Sequence, residues 1–251
     1  MQAQIHGTTM LVLSVHLDPG ESVVAEVGEF SWMTDSIRIS TCMGTGVGGE
    51  SLMSALGHVV GGSRLPMSTY TAQGGPGTIT FAPKLPGSIL PVDVGPGAEY
   101  LVHRHGFLAG TPGIEVSAGF QQSFRAGIFA GGGFVLRRLG GQGRAWAELS
   151  GQVVPHDLAA GQSLRVHPGH VGMFQASVSF QVARVPGIAN RHFGGDTDYF
   201  AELSGPGTVW LQSMPLPQLA ATLAGHIPAA ERREEPVEGG LVGGIIGDVL
   251  T

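Results

Sequence analysis

The residues best suited to chemistry in this chain are two histidines that flank an arginine, His103 and His105. They follow Gly97, which lies in a segment typical of a turn before a β-strand. Alternate residues of a strand point to the same face, so we expect both imidazoles on one face, where they can ligate a metal ion. His103 and His105 are therefore the strongest metal candidates that the sequence offers.

This pair resembles the opening of the cupin metal motif. That motif next requires a glutamate four or five residues after the second histidine, and Ala109 and Gly110 stand there instead. A second segment, His167-Pro168-Gly169-His170 after Gly161, also departs from the cupin pattern, because its proline lies one place late. We therefore favour hydrogen-bonded or surface histidines over a metal site, and keep a cupin-like metal-dependent enzyme or binding protein as the alternative function.

Other kinds of catalytic site have less support. The lone cysteine, Cys42, has no nearby histidine and is expected to pack as a small apolar side chain, and no Gly-x-Ser-x-Gly elbow frames a serine. The glycine run 131–133 precedes a β-like segment and no Gly-Lys-Ser/Thr follows it, which indicates a turn and not a phosphate loop. We predict no catalytic residue and no cofactor.

Composition favours an all-β fold. The 251 residues include 42 glycines and 16 prolines, which indicates many turns between short strands. Lys84 is the sole lysine and the net charge is −6, so binding of RNA or DNA is not expected. The N-terminus lacks the features of a secretion signal and no long apolar run is present, which predicts a cytoplasmic protein, with peripheral membrane contact left open.

The chain carries an internal repetition. Segments 88–97 and 152–161 share an apolar-apolar-Pro-x-Asp-apolar pattern that ends in a turn glycine, and 11–20 is a looser copy. The boundary motif Gly74-Gly75-Pro76-Gly77 has counterparts at 140–143 and 205–207. These patterns predict three β repeats and a C-terminal segment, at residues 1–75 with a glycine-rich insertion, 76–140, 141–214 and 215–251.

The repeats separate the candidate ligands. Glu26, His103 and His167 each lie six residues beyond a turn glycine of a different repeat, so they are not expected to converge. In the third repeat, Val178, Phe180 and Val182 alternate with polar residues and should face the core.

One helix is predicted, from Pro215 to Ile227, with leucines at spacings of three and four that should dock on the β core. A charged hinge, 231–236, leads into an apolar tail with a glycine at every fourth position. The tail is too short to span a bilayer, so subunit contact, disorder, or contact with a membrane surface or a protein partner remain its possible roles.

An ordered set of turn motifs resembles the altered-inheritance-of-mitochondria family. The motifs are Leu17-Asp18-Pro19-Gly20-Glu21-Ser22, residues 70–77, residues 85–89 and residues 205–211. The family comprises bacterial proteins of unknown function and a fungal mitochondrial inner-membrane protein. The resemblance implies tandem jelly-roll-like, double-stranded β-helix sandwich units, similar to the tryptophan RNA-binding attenuation protein and assembled into a ring, and it implies no catalytic residues.

These observations predict a non-enzymatic, ring-forming scaffold or interaction protein. Tandem units leave one unpaired face at each end of the chain, and a cyclic assembly satisfies both faces. With the resemblance supplying the closure number, we expect a homotrimer. A cupin-like protein that uses His103 and His105 and an RNA-binding ring are the alternatives.

Overall fold

Short strands joined by turns account for almost all of the chain that the structure, a computed structural model, describes: residues 1–42, 66–122, 134–184 and 199–226. The strands are β1 (Gln2–His6), β2 (Val12–Leu17), β3 (Ser22–Glu26), β4 (Trp32–Met33), β5 (Ile37–Cys42), β6 (Met67–Ala72), β7 (Gly77–Phe81), β8 (Gly87–Val94), β9 (Tyr100–His103), β10 (Phe107–Gly110), β11 (Ile114–Gln122), β12 (Phe134–Gly141), β13 (Gly143–Ser150), β14 (Val153–Leu158), β15 (Ser163–Val166), β16 (Val171–Gln175), β17 (Ser179–Arg184), β18 (Tyr199–Ser204) and β19 (Gly207–Gln212). A 3₁₀ turn, Pro168–His170, precedes β16, and helix α1 spans Leu216–His226. The predicted all-β fold with one short C-terminal helix is confirmed.

The described strands form four antiparallel sheets. Their orders are β1-β2-β7-β4, β5-β6-β3-β10-β13-β8, β11-β12-β9-β16-β19-β14 and β15-β18-β17. The two six-stranded sheets are continuous across distant parts of the chain, because β3 pairs with β10 and β9 pairs with β16.

Similar pairings recur along the chain. β2 pairs with β7, β8 with β13 and β14 with β19. The predicted boundaries after residues 75 and 140 separate strands that pair, since β7 and β13 lie beyond them while β2 and β8 lie before them. Residues 1–218 form one compact unit and 219–251 another, so the division into three repeats stays a prediction.

Within the described part of the chain, three hydrophobic clusters form the core. One contains Leu13, Leu17 and Phe81, the next Val102, Leu149 and Met173, and the last Leu136, Phe174 and Leu203. Strand alternation explains them, since β2 buries every second residue. The predicted inward face of the third repeat is confirmed, because Val178 belongs to the last cluster and Phe180 and Val182 pack against it.

The turn that positions the candidate histidines begins at a glycine in the left-handed region. Gly97 has φ 78°, and Gly20 and Gly161 have φ 87° and 82°. Residues with a Cβ rarely adopt these angles, so the three predicted turn glycines are required by the backbone. The turn at Gly97 directs the chain into β9, which ends at His103.

Helix α1 lies at the predicted place. The prediction that its leucine face is buried against the β core is wrong. No described residue of the helix is buried, and the side chain of Leu223 is 58% exposed. Leucine spacings of three and four residues follow from helical geometry and were sufficient to predict a helix. Burial of the leucines also requires an apolar surface elsewhere in the fold, and the spacing does not show whether one is present. Ile227 lies outside the described residues.

Several predicted features also lie outside the described residues. They are the insertion at 44–56, the glycine run 131–133, the charged hinge and the glycine-spaced tail. The backbone of Cys42 ends β5, and its side chain lies outside the described part. Among the described residues, no helix has the length and apolar character needed to cross a membrane.

Candidate functional site

A cavity of about 180 Å³ lies beside the turn between β9 and β10. Its lining comes from distant parts of the chain: the loop between β7 and β8, the ends of β13 and β19, the starts of β12 and β16, and the first residues of α1. The polar lining consists of Lys84, His103, Arg104, His105, Glu148, Ser150 and Gln212. Both candidate histidines therefore line the cavity, and the other ionisable residues of the lining are Lys84, Arg104 and Glu148.

His103 and His105 do not share one face of a strand, which corrects the sequence prediction. Strand β9 ends at His103, and the backbone N–H of Gly106 donates to the carbonyl of His103 at 2.8 Å. This bond closes a tight turn over residues 103–106, so the alternation assumed for a strand does not extend to His105.

The imidazole of His103 is fully engaged by the backbone. Its Nδ1 accepts the N–H of His105 at 3.3 Å, which leaves Nε2 as the protonated nitrogen. Nε2 donates to the carbonyl of Glu148 at 3.1 Å. Removal from water lowers the pKa of His103 to about 4, so the ring is neutral at neutral pH. With both nitrogens occupied, the ring braces the turn against β13 and has no lone pair to offer a metal.

The ring of His105 makes no hydrogen bond to the described residues, in contrast to His103. Burial lowers its pKa, and the positive charges of Lys84 and Arg104 lower it further. A neutral imidazole on the cavity wall can donate or accept a hydrogen bond. His105 is thus available to a ligand.

Glu148 is the central residue of the site, and it was not among the residues predicted from the sequence. It is 8% exposed, and its Oε2 has no hydrogen-bond partner among the described residues. Burial raises the pKa of Glu148 to about 8, and the charge of Glu29 adds to the rise, while the charge of Lys84 and a backbone hydrogen bond from the same residue oppose it. The side chain is therefore a protonated acid at neutral pH, with one oxygen unsatisfied beside the cavity.

The sole lysine of the chain lies at this site. Lys84 forms an ion pair with Glu29, with 2.5 Å between Nζ and Oε1. Arg104 is exposed at the turn and has no acidic partner among the described residues. With Glu148 protonated and Lys84 balanced by Glu29, the described lining of the cavity carries one unbalanced positive charge, that of Arg104.

Gln212 gives an internal comparison for Glu148. Glu148 lies opposite Ile89 of β8, and Gln212 lies opposite Val153 of β14 in the matching pair of strands. Gln212 is buried and satisfied at both ends: Oε1 accepts the N–H of Ser150 and Nε2 donates to the carbonyl of Gly169, each at 3.1 Å. An uncharged amide can thus be fully satisfied in this setting, and Glu148 differs in having an unpartnered oxygen.

The other candidate ligands, Glu26 and His167, are engaged by other residues. Glu26 pairs with Arg137, and the ring of His167 contacts that of His170, with 5.9 Å between centroids. Neither Glu26 nor His167 lines the cavity. The described part of the chain contains no group of three or more histidine, cysteine, aspartate or glutamate side chains placed to hold a metal ion.

One sequence signal could have found Glu148. It stands in an apolar segment, Ala145-Trp146-Ala147-Glu148-Leu149, whose neighbours are buried. A carboxylate inside a buried strand is rare unless paired. That rarity marks the residue, but the sequence does not show which side chains surround it.

Comparisons with known proteins match most of the chain. The family model described as mitochondrial biogenesis AIM24 matches residues 3–214. An uncharacterized protein of Streptococcus pyogenes serotype M6 is 24% identical over 224 residues, covering 87% of this chain and 88% of the relative. A crystal structure of a Streptococcus pyogenes protein, solved by a structural genomics consortium, is similar with a TM-score of 0.72 at 22% identity, covering 90% of this chain and 99% of that one. The structural likeness at this identity shows the fold alone.

Proposed function

Since the chain belongs to the mitochondrial biogenesis AIM24 family, we propose that it is a non-enzymatic scaffold that assembles into a homotrimeric ring through two open sheet edges. The supporting observation is the way in which successive parts of the chain join their sheets. The fold likeness to the tryptophan RNA-binding attenuation protein remains part of this proposal.

Two strand pairs, here called joints, each connect successive parts of the described chain into one sheet. At one joint, Val24 of β3 pairs with Gly110 of β10. At the other, Leu101 of β9 pairs with Phe174 of β16. Val24 and Leu101 each lie four residues after a turn glycine, so the two joints use corresponding positions.

Among the described residues, the strands that correspond to a third joint lie at sheet edges. Strand β15 follows turn glycine Gly161 as β9 follows Gly97, and it is the edge of its three-stranded sheet. Strand β4 pairs with β7 as β16 pairs with β19, and it is the edge of its four-stranded sheet. An open edge offers unpaired N–H and C=O groups to another strand. A ring that pairs β15 of one copy with β4 of the next satisfies both edges.

The internal joints also supply a register for this contact. Arg165 lies four residues after Gly161, the position held by Val24 and Leu101. Met33 lies opposite Ile79 of β7, as Phe174 lies opposite Val209 of β19. The expected pairing is therefore Arg165 of one copy with Met33 of the next.

The backbone of Arg165 has the orientation that this pairing needs. The N–H of Gly205 donates to the carbonyl of Gln162, which fixes the alternation of hydrogen bonds between β15 and β18. In an antiparallel pair, bonded and non-bonded residues alternate, so the backbone groups of Arg165 point away from β18 toward the open edge. Trp32, on the edge strand β4, is 57% exposed, and its burial would favour association.

Mass measurement by light scattering tests the proposal, with Arg165→Pro as the diagnostic variant and Arg165→Ala as its control. Wild-type protein is expected at three times the 25.9 kDa chain. Proline removes the outward N–H at a position where an edge strand tolerates it, so this variant should be monomeric with unchanged circular dichroism. Alanine keeps the N–H and should remain trimeric.

A wild-type monomer at micromolar concentration would refute the assembly, as would a trimeric Arg165→Pro variant. If proline disrupts folding, Trp32→Glu tests the other edge. A folded, trimeric Trp32→Glu protein would then count against the β4 contact.

A further inference from the structure

We infer that the cavity is a binding site for a small monocarboxylate with an apolar tail, held by Glu148, His105 and Arg104. Nothing in the scaffold role requires such a site, and all of its residues come from one chain. The inference rests on the geometry around Glu148.

An unsatisfied buried oxygen is the first observation. Oε2 of Glu148 is buried without a hydrogen-bond partner among the described residues, whereas the matching amide of Gln212 is satisfied at both ends. Leaving a buried polar group unpaired is costly, and such groups in native structures commonly face a ligand or water. Glu148 lines the cavity, so a small rotation of its carboxyl group would bring this closed-off oxygen to a ligand atom there.

The size and lining of the cavity limit the ligand. Sites for drug-sized molecules are about 300–1,000 Å³, so about 180 Å³ accepts a smaller molecule. The lining also contains apolar side chains, which are those of Leu85, Phe134, Leu149, Val171 and Leu216. A short apolar tail fits this lining.

The charged residues around the cavity determine which head group a ligand should have. The charged and titratable groups around Glu148 are Glu29, Lys84, His103, Arg104 and His105. Both histidines have lowered pKa values, and the Lys84–Glu29 pair is balanced, which leaves Arg104 as the unbalanced charge. A cationic head would meet Lys84 and Arg104, whereas a carboxylate is attracted by Arg104 and accepts a hydrogen bond from the protonated acid of Glu148.

Three probes that share an unbranched apolar tail and differ in the charge of the head group test this preference: hexanoate, hexylammonium and hexanol. Each is titrated into full-length protein by calorimetry. Hexanoate should bind at least tenfold more tightly than the other two at about pH 6.5. Its affinity should fall about tenfold by about pH 9, because Glu148 then loses its proton and its charge repels the ligand.

Glu148→Gln separates this role from a structural one. The amide keeps a permanent donor in place of the acid, so the variant should bind hexanoate with no loss of affinity between about pH 6.5 and pH 9. Glu148→Leu has the same bulk without a donor and should bind at least tenfold more weakly. Arg104→Gln should also weaken binding about tenfold, while Arg38→Gln, which removes a charge on β5 away from the cavity, should leave it unchanged.

Three outcomes would overturn the inference. They are tighter binding of hexylammonium than of hexanoate, equal binding of hexanoate and hexanol, and no binding of any probe at millimolar concentration. A fourth outcome, a hexanoate affinity that does not change with pH in the wild-type protein, would also overturn it, because Glu148 would then not hold the ligand. None of these results depends on the oligomeric state.

Discussion

At the scale of single residues, the site contains two ionisable side chains held in neutral forms by burial. His103 is deprotonated and fixed by two backbone hydrogen bonds, and Glu148 is protonated with one oxygen unsatisfied. Their pKa values, about 4 and about 8, are shifted in opposite directions by the same cause, since burial disfavours the charged form of each. Both side chains line the cavity and are therefore uncharged at neutral pH.

The raised pKa of Glu148 predicts how stability depends on pH. In the unfolded chain the carboxyl ionises near the ordinary glutamate pKa of 4.5, and in the folded protein near 8. Between these values the folded state holds more protons, so its contribution to the free energy of unfolding is full below about pH 4.5 and falls as pH rises toward 8. Over this pH range, the free energy of unfolding of the wild-type protein should fall by several kcal/mol.

Glu148→Gln should remove this loss, because the amide does not titrate. We expect the variant to be more stable than wild type at pH 8 and similar near pH 4.5, as measured by urea unfolding across this range. Asp93→Asn is the control: Asp93 pairs with Arg144 at the surface and should leave the fall in stability intact. Parallel pH profiles for Glu148→Gln and wild type would contradict the assignment.

At the scale of elements, β13 connects the core to the site. Its buried residues pair with β8 and β10, and its last residues line the cavity. The position of Glu148 therefore depends on the close pairing at the end of β8 and β13, where Gly87 lies opposite Ser150.

Gly87→Ala should destabilise the protein by about 1–3 kcal/mol. A Cβ at this position would collide with the carbonyl oxygen of Leu149, so the end of β13 would have to move. Gly95→Ala, just beyond the other end of β8, is the control, because a Cβ there meets no atom within 4 Å. Urea midpoints measure the difference, and equal stability of the two variants would show that the strand ends are not closely packed.

At the scale of the whole molecule, the described β-strands all belong to the compact unit formed by residues 1–218, and residues 219–251 form the other unit. The two six-stranded sheets join distant parts of the first unit through β3–β10 and β9–β16. Cooperative unfolding of residues 1–218 follows from this continuity, because neither half of a joined sheet keeps its partners alone.

A chain truncated after residue 218 should keep its β-sheet circular dichroism and its melting temperature within a few degrees, since no described residue of α1 is buried. A chain truncated after residue 198 should not fold, because it lacks β18 and β19, the partners of β14, β15, β16 and β17. Thermal melts of both distinguish the cases. A large drop in melting temperature for the first truncation would show that residues 219–251 stabilise the core.

The amino-acid sequence alone determined the class of fold. Turn glycines such as Gly97 and Gly161 and the alternation in β17 reflect local constraints of the backbone and of strand geometry, which act over a few residues. The helix was predicted from spacings of three and four residues, and the family from an ordered set of turn motifs. Predicting these features requires no information about which residues are in contact in the folded chain.

Only the tertiary structure decided the site. Lys84, His103 and Glu148 come from three separate elements, and no spacing in the sequence indicates that they meet. The sequence placed His103 and His105 on one strand face, whereas the turn at 103–106 separated them and used both nitrogens of His103. Burial, pKa and hydrogen bonding are properties of the surroundings of a side chain, and those surroundings exist only after the sheets have joined.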